Sequence, residues 1–574
     1  MEKPWLSHYE EGVPAEVEIP DYPVTQNLIN SAEKYPNNTA TIFGNVVEPL
    51  GNALMDTTMN YRSLLDLTYR FAAALQKSGV KKGDRVALYL PNCPQFVIAY
   101  YATLMIGGIV VPCNPAYVAR EIKHQLNDSG AETIIVLSLM YPNVKKIRAE
   151  TALKQVIVAN IKEYFPGLLK FLFTVATEKK EGHYQDISGD ANTYWFQDVL
   201  TGAPARPTPV EIGMEDTAVL MYTGGTTGIS KGAQLTHRNV QANAVQTRAW
   251  FPRMVEGQET ILTSLPLYHS YAMTTCMNLG ALSGATLLLI ANPRVLPHIL
   301  KSINKHHPTL YPGVPALYIS LINHPDISQY DVSSIKACIS GAAPLPVEVQ
   351  QKFQALTGGR LVEGYGLSEA TPVTHANPIY GENRIGTIGL PFPSTDAKVM
   401  DIETEKQDLP PGEVGALVLR GPQVMKGYWQ MPTETANVLR EGWLHTGDIA
   451  RMDEDGYFQI VDRKKDMILG AGGLNIYPRE VEEVLYQHPK VKECAVAGVP
   501  VAGKGERVKA FIVLKEGETS TEEEMIEFCR ENMARYKVPK FIEFRDELPM
   551  TIIGKVLRRV LVEEEKKKLA EQQQ

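Results

Sequence analysis

Cysteine is scarce in this chain of 574 residues: there are six, and no two stand close enough to form a CxxC pair. The sequence signature of a thiol redox or zinc motif is therefore missing. Thiols such as Cys338, between Ala337 and Ile339, are read as small buried hydrophobes in a reducing compartment. Basic charge is also short. There are 57 Lys and Arg against 65 Asp and Glu, a formal net charge of -8. That balance excludes a whole-chain footprint for nucleic acid, while leaving room for local basic patches on phosphates. No apolar stretch follows Met1-Glu2-Lys3-Pro4-Trp5, so a secretory signal is not expected. One uncharged run, 96–113, nearly reaches bilayer-spanning length. Gly107-Gly108 splits it, and Pro94 and Pro112 bracket it. It is read as a buried helix followed by a buried strand.

What is present is globular. Hydrophobic residues make up 44% and charged residues 21% of the chain, and its length calls for several packed units. From 61 to 137, apolar positions at helical spacing (Leu64, Leu65, Thr68, Phe71, Ala72, Leu75) alternate with short apolar runs such as Val86-Ala87-Leu88-Tyr89-Leu90. Strands alternating with helices imply a parallel sheet covered on both faces. Residues 141–205 interrupt this rhythm with an apolar stretch, 164–173. It is read as packing on the body, with contact to a membrane surface as the alternative. The rhythm resumes at Ala218-Val219-Leu220-Met221-Tyr222. After Gly389 short β-rich segments dominate, and from about 462 a smaller α+β unit follows. The fold expected is α/β: a large N-terminal domain of parallel-rich sheets with covering helices plus a β-rich subdomain, and a small mobile α+β C-terminal domain.

The strongest local signal is Tyr222-Thr223-Gly224-Gly225-Thr226-Thr227-Gly228-Ile229-Ser230-Lys231-Gly232. Its glycines let backbone N–H groups turn toward an anion, its threonines add hydroxyl donors, and Lys231 supplies a point charge. A plain surface turn would call on Asn, Asp or Pro as readily. The loop is not a Walker motif, which needs Gly-Lys followed by Ser or Thr, because Lys231 precedes Gly232. Gly554-Lys555 has the right dipeptide but is followed by Val556. The stretch Gly470 to Asn475 lacks the last glycine of a dinucleotide fingerprint. Gly366-Leu367-Ser368-Glu369-Ala370 misses a nucleophile elbow by its last residue.

With that loop in view, the chain resembles the adenylate-forming superfamily of acyl-CoA synthetases, peptide-synthetase adenylation domains and luciferases, over about 61–559. The superfamily loop reads Tyr-Thr-Ser-Gly-Thr-Thr-Gly-x-Pro-Lys-Gly, and this sequence departs from it at Gly224 and Ser230. Further motifs agree. Gly364-Tyr365-Gly366-Leu367-Ser368-Glu369 resembles the second core motif, which implies adenine stacking on Tyr365, an α-phosphate contact at Ser368 and Mg²⁺ held by Glu369 with Thr223. Gly341, Ala342 and Ala343 resemble the loop lining the adenine and acyl sites. Asp448, closing Gly442-Trp443-Leu444-His445-Thr446-Gly447-Asp448, resembles the ribose ligand, and Ile460 and Arg463 fall in the nucleotide-facing junction. His269, in Leu265-Pro266-Leu267-Tyr268-His269-Ser270, matches a histidine near the reacting carboxylate. His237 is read as a helix-start residue instead. Lys465 matches the hinge, Gly472 and Gly473 the loop that meets coenzyme A, and Lys555 the catalytic lysine. The implied domains are 1–462, with the ATP and acyl sites, and 463–574, with the lysine and the CoA-facing loop.

The resemblance implies a two-step reaction with ATP, Mg²⁺ and coenzyme A as cofactors. The carboxylate attacks the α-phosphorus, giving acyl-AMP and pyrophosphate, and the CoA thiol then displaces AMP. Lys231, Thr226 and Thr227 would cradle the β- and γ-phosphates, and Lys555 would bridge carboxylate and phosphate. Phrases such as Lys82-Gly83-Asp84-Arg85 and Pro91-Asn92-Cys93-Pro94 are similar to bacterial and archaeal long-chain fatty-acid CoA ligases. A long-chain fatty acid is therefore the expected substrate and the cytoplasm the expected compartment. Medium-chain, branched and aromatic acids stay open, as do loading of a carrier protein, a light-emitting oxidase and an acyl-binding protein without chemistry. Peripheral membrane contact and a homodimer are also open. No nucleic-acid partner is expected.

Overall fold

The computed structural model describes residues 2–47, 53–223, 230–469, 475–501, 505–551 and 556–572. The chain divides into two compact units. One is Leu6–Asp396 with Arg420–Gly442, and the other is Met1–Trp5 with Ala397–Leu419 and Trp443–Gln574.

In the larger unit, short apolar runs become buried parallel strands. Arg85–Tyr89, Ile109–Pro112, Thr133–Leu137 and Gln155–Ala159 are too short for amphipathic helices and lie in the middle of an eight-stranded sheet. Pairing is parallel from Thr217–Thr223 across to Thr193–Trp195. It turns antiparallel at the other edge, where Lys231–Thr236 and Gly427–Tyr428 are added. The helix Tyr61–Lys77 begins where the Asn60 side chain accepts the Ser63 N–H at 2.8 Å, and it buries Leu64, Thr68, Phe71, Ala72 and Leu75 on one face. The uncharged run 96–113 is helix Pro94–Met105 and then strand Ile109–Pro112, turning through Gly107 at φ +71°. That helix is buried on nearly every side, which removes any need for a polar stripe. Among the described residues, no helix is long and apolar enough to cross a membrane.

The same unit holds two four-stranded sheets. One contains Thr260–Thr263, Thr286–Leu289, Thr39–Val47 and Ala53–Asn60, and the other Ala337–Ser340, Arg360–Gly366, Val373–Ala376 and Leu390–Pro391. Leu310 bridges Ile261 on one side and Ala337 on the other, both in parallel, and so joins them. Leu262, Leu288, Tyr311, Tyr318 and Phe353 pack into one buried cluster against them.

The stretch 141–205 differs from the sequence expectation. Gln155–Ala159 and Thr193–Trp195 carry the parallel sheet outward, so the rhythm continues through the insertion. The apolar stretch is two-faced. Phe165 stacks on Phe43 with centroids 5.6 Å apart, and Phe165 and Phe173 meet edge-on. Leu168, Phe171 and Val175 are 56, 63 and 64% exposed.

The smaller unit holds an antiparallel sheet of Gly415–Arg420, Trp443–Met452 and Phe458–Arg463, with Asp396–Met400 at its edge. Beyond it, Val491–Val501 pairs antiparallel with Gly505–Leu514, and Phe541–Phe544 joins in parallel. The period of two in these strands splits the core. Cys494, Val496, Ala510 and Ile512 face helices Pro478–Leu485 and Glu522–Asn532 through Val481, Leu485 and Met525. Ala495, Ala497, Phe511 and Val513 face Leu548 and Leu561. All six cysteines are free and buried.

Candidate active site

The ends of the candidate phosphate loop are an antiparallel pair: Thr223 ends one strand and Lys231, its register partner, begins the next. The Ser230 hydroxyl donates to the Thr223 carbonyl at 2.7 Å, tying the base together. Because Lys231 opens a strand, no helix N-terminus follows the loop, which separates it from the Walker arrangement by structure as well as by sequence. The Lys231 side chain is 12% exposed and forms an ion pair with Glu434. Its ammonium lies 5.3 Å from the ring centroid of Tyr428, whose hydroxyl donates to Glu369 Oε1 at 2.8 Å. Burial, then the Glu369 charge, holds that phenol above its ordinary value, so it stays a donor. Thr223, Lys231 and Glu369 thus belong to one connected set.

A second line of contacts enters from the paired strands Ala337–Ser340 and Arg360–Gly366. Their parallel register, Ser340 beside Glu363, brings the loop 341–343 and the segment 364–369 out side by side at the carboxyl ends of the strands. Both glycines sit where a neighbour leaves no room for a side chain. A Cβ on Gly366 would lie 2.3 Å from the Pro372 carbonyl oxygen, and one on Gly364 would lie 2.6 Å from Ile339 Cγ2. Ala342 holds φ +67° and is exposed; Ala343 is half-buried. Tyr365 is half-buried and meets His375 edge-on at 5.9 Å. His269 caps the short helix Ser270–Ala272, its Nδ1 accepting the Tyr271 N–H at 3.2 Å. Next to it, the Ser270 and Ser368 hydroxyls lie 3.4 Å apart, and the Tyr271 hydroxyl donates to the Ile339 carbonyl at 2.6 Å. Contacts therefore run unbroken from His269 through Ser368, Glu369 and Tyr428 to Lys231 and Thr223. His237 opens helix His237–Trp250, and burial pushes its imidazole down to about 4, as suits a neutral core residue.

In the smaller unit, Asp448 and Arg463 are register partners. The Arg463 guanidinium reaches Asp448 Oδ1 at 3.2 Å, and the Asp448 side chain is 6% exposed. Gly447, at φ +75°, makes the turn that lets the Asp448 N–H reach the Thr446 hydroxyl at 3.1 Å. Ile460 pairs with Ala450 in the same sheet. Gly224, Gly225, Thr226, Thr227, Gly228, Gly472, Gly473 and Lys555 lie outside the described residues. The bases of their loops are described: Leu469 pairs with Asn475, and Met550 with Val556. Sequence reasoning missed Tyr428 and Glu434. Tyr428 is 59 residues from Glu369, and Glu434 is 203 from Lys231, so no local pattern links them.

Comparison with known proteins places the chain in a family. A family model described as AMP-binding enzyme matches residues 28–429, and one described as AMP-binding enzyme C-terminal domain matches 480–555. The chain is 47% identical over 567 residues to a long-chain-fatty-acid–CoA ligase of Bacillus subtilis, covering 98% of each. Among solved structures, an anthranilate CoA ligase in complex with anthranoyl-AMP superposes with a TM-score of 0.81 at 26% identity, covering 96% of this chain and 99% of that one. A long-chain-fatty-acid-CoA ligase from Archaeoglobus fulgidus does so with a TM-score of 0.67 at 28% identity, covering 94% and 99%. With its model matched across 28–429, more than half of its length, the chain belongs to the AMP-binding enzyme family.

Proposed function

We propose that this chain is an ATP-dependent long-chain-fatty-acid–CoA ligase that works through an acyl-adenylate. The observation that carries the reading is likeness at 47% identity over nearly the whole length of a ligase with that activity. The contacts from His269 to Thr223 support it. A carboxylate is a poor acyl donor because its leaving group would be oxide. Attack on the α-phosphorus of ATP forms the acyl–phosphate bond and expels pyrophosphate. The CoA thiolate then adds to the carbonyl, and AMP departs with the electron pair.

Positive charge and positioning carry most of the first step. Lys231, Thr226 and Thr227 bind the β- and γ-phosphates. Lys555 bridges carboxylate and α-phosphate, Ser368 donates to the α-phosphate, and His269 lines the carboxylate end of the acyl site. Tyr365 with Gly341, Ala342 and Ala343 receives adenine, and Asp448 with Arg463 and Ile460 receives ribose. Glu369 and the Thr223 hydroxyl are hard oxygen donors of the type Mg²⁺ takes, and they would hold it. A cation held there would supply positive charge against the phosphate oxygens. Residues 463–574 turn about Lys465 between the steps, exchanging the Lys555 loop for the Gly472–Gly473 loop. The enzyme acts in the cytoplasm and touches lipid through the exposed face of Leu168, Phe171 and Val175.

AMP formation with Mg²⁺-ATP and CoA, measured over short, medium, long and aromatic acids, tests the reading. A long-chain optimum is expected. An optimum on short or aromatic acids would overturn the substrate, and turnover only with a carrier protein would overturn CoA as acceptor.

A further inference from the structure

The segment around Gly427–Tyr428 carries none of the motifs that mark the reaction, yet it touches two of the groups that do. Its backbone is fixed on three sides. Gly427 and Tyr428 pair with Gln234 and Ala233, the Trp429 N–H donates to the Gly232 carbonyl at 2.8 Å, and the Met425 N–H donates to the Glu369 carbonyl at 2.7 Å. The turn into helix Pro432–Val438 is tight. The Tyr428 N–H donates to the Thr435 hydroxyl at 2.9 Å, and a Cβ on Gly427 would come within 2.7 Å of Thr435 Cγ2. This frame aims three side-chain features at one place. The Tyr428 hydroxyl donates to Glu369 Oε1, the face of its ring lies beside the Lys231 ammonium, and Glu434, in the first turn of the helix, pairs with that ammonium.

We propose that Tyr428 is a positioning residue that orients Glu369 and Lys231 together, and that Glu434 competes with the nucleotide phosphates for the Lys231 charge. The inference rests on the reading of Glu369 and Lys231 as metal and phosphate ligands. Tyr428 couples the two because its hydroxyl grips the carboxylate while its ring face favours the cation. Glu434 is the less buried partner, at 39% against 12% for Lys231, so it can swing into solvent while the lysine stays. Phosphate oxygens then meet an ammonium already held over Tyr428. A carboxylate in that position makes ATP binding cost the rupture of an ion pair, and it holds the lysine side chain in place.

Three variants test this in the full chain, with thermal unfolding as a folding control. Glu434→Gln is expected to lower the KM for ATP about fivefold with kcat changed little, as removal of a competitor requires. Tyr428→Phe keeps the ring and loses the hydroxyl. It is expected to raise the half-saturating Mg²⁺ concentration and slow pyrophosphate release, each by about tenfold, the usual weight of one charge-assisted hydrogen bond. Glu369→Gln reports on the underlying reading. If it leaves the Mg²⁺ dependence intact, Glu369 is not the metal ligand and the reading of the site fails. If it disrupts that dependence while Tyr428→Phe does not, the positioning role of Tyr428 is overturned. An unchanged or raised KM for ATP in Glu434→Gln overturns the competition.

Discussion

Replacing Arg558 with methionine keeps most of the side-chain length and removes the charge. In the structure its guanidinium reaches Glu482 at 2.6 Å, Asp466 at 3.4 Å and Asp462 at 3.8 Å. Asp462 is 2% exposed and Glu482 13%. Burial pushes the Asp462 carboxyl up to about 6 although Arg558 pulls it down. Burial also works against the charge on Arg558, but Glu482, then Asp462 and Asp466, hold that group above its ordinary value. Removing one partner from such a set leaves buried carboxylates unpaired, which costs about 3–5 kcal/mol. The cost depends on pH. A carboxyl raised in the folded state contributes stability below its unfolded value and loses it as pH rises through about 6. Loss of Arg558 raises Asp462 further, and each added pKa unit costs about 1.4 kcal/mol once both proteins are ionised. At about pH 8 the variant should lose about 3–5 kcal/mol. At about pH 5, where Asp462 is mostly protonated in both proteins, the deficit should shrink by about 1.4 kcal/mol or more. Hydrogen exchange of peptides from Val491–Val501 and Gly505–Leu514 reads the opening free energy of this unit directly. A deficit below about 1 kcal/mol at pH 8, or one equal at both pH values, would refute the account of Asp462.

Three further outcomes follow from the same reasoning. Lys555→Ala should abolish pyrophosphate release yet still convert supplied acyl-AMP and CoA to thioester, and equal loss of both half-reactions would remove the assigned role. Burial pushes Glu163 up to about 7 while Gln95 donates to its Oε2 at 2.8 Å. That group therefore costs stability as pH rises through about 7, and Glu163→Gln should stabilise the protein by about 1–2 kcal/mol at pH 8 and little at pH 4, measured by urea unfolding. Phe171→Glu should cut co-sedimentation with anionic phosphatidylglycerol vesicles several-fold while leaving ATP binding intact, and undiminished sedimentation would dismiss the exposed face as the lipid contact.

The alternation of short apolar runs with helical spacing carries the parallel sheet because burial on both faces leaves such strands no polar alternation to hide behind. The same logic found helix Pro94–Met105, and the period of two in Val491–Val501 and Gly505–Leu514 appears as two separate cores. Gln155–Ala159 was legible in the same way but lay inside a stretch that reads as an interruption. Ala53–Asn60 was not legible: its apolar residues do not alternate with polar ones, and its pairing with Thr39–Val47 makes it a strand. In the site, Thr223, Lys231, Ser368 and Glu369 were marked by motif. The link through Tyr428 depends on an edge strand brought in from far along the chain, and only tertiary pairing reveals it.

Three of the motif-bearing segments are flanked in the same way. The segments 224–229, 470–474 and 551–555 are each closed at the base by an antiparallel pair: Thr223 with Lys231, Leu469 with Asn475, and Met550 with Val556. A hydrogen-bonded base fixes which face each flanking residue presents, since a slip of one residue would invert every side chain beyond it. An insertion within the pair Thr223–Lys231 would therefore turn Lys231 away from Tyr428. Grafts between relatives should then be cut at these pairs, so that the strands on either side keep their register.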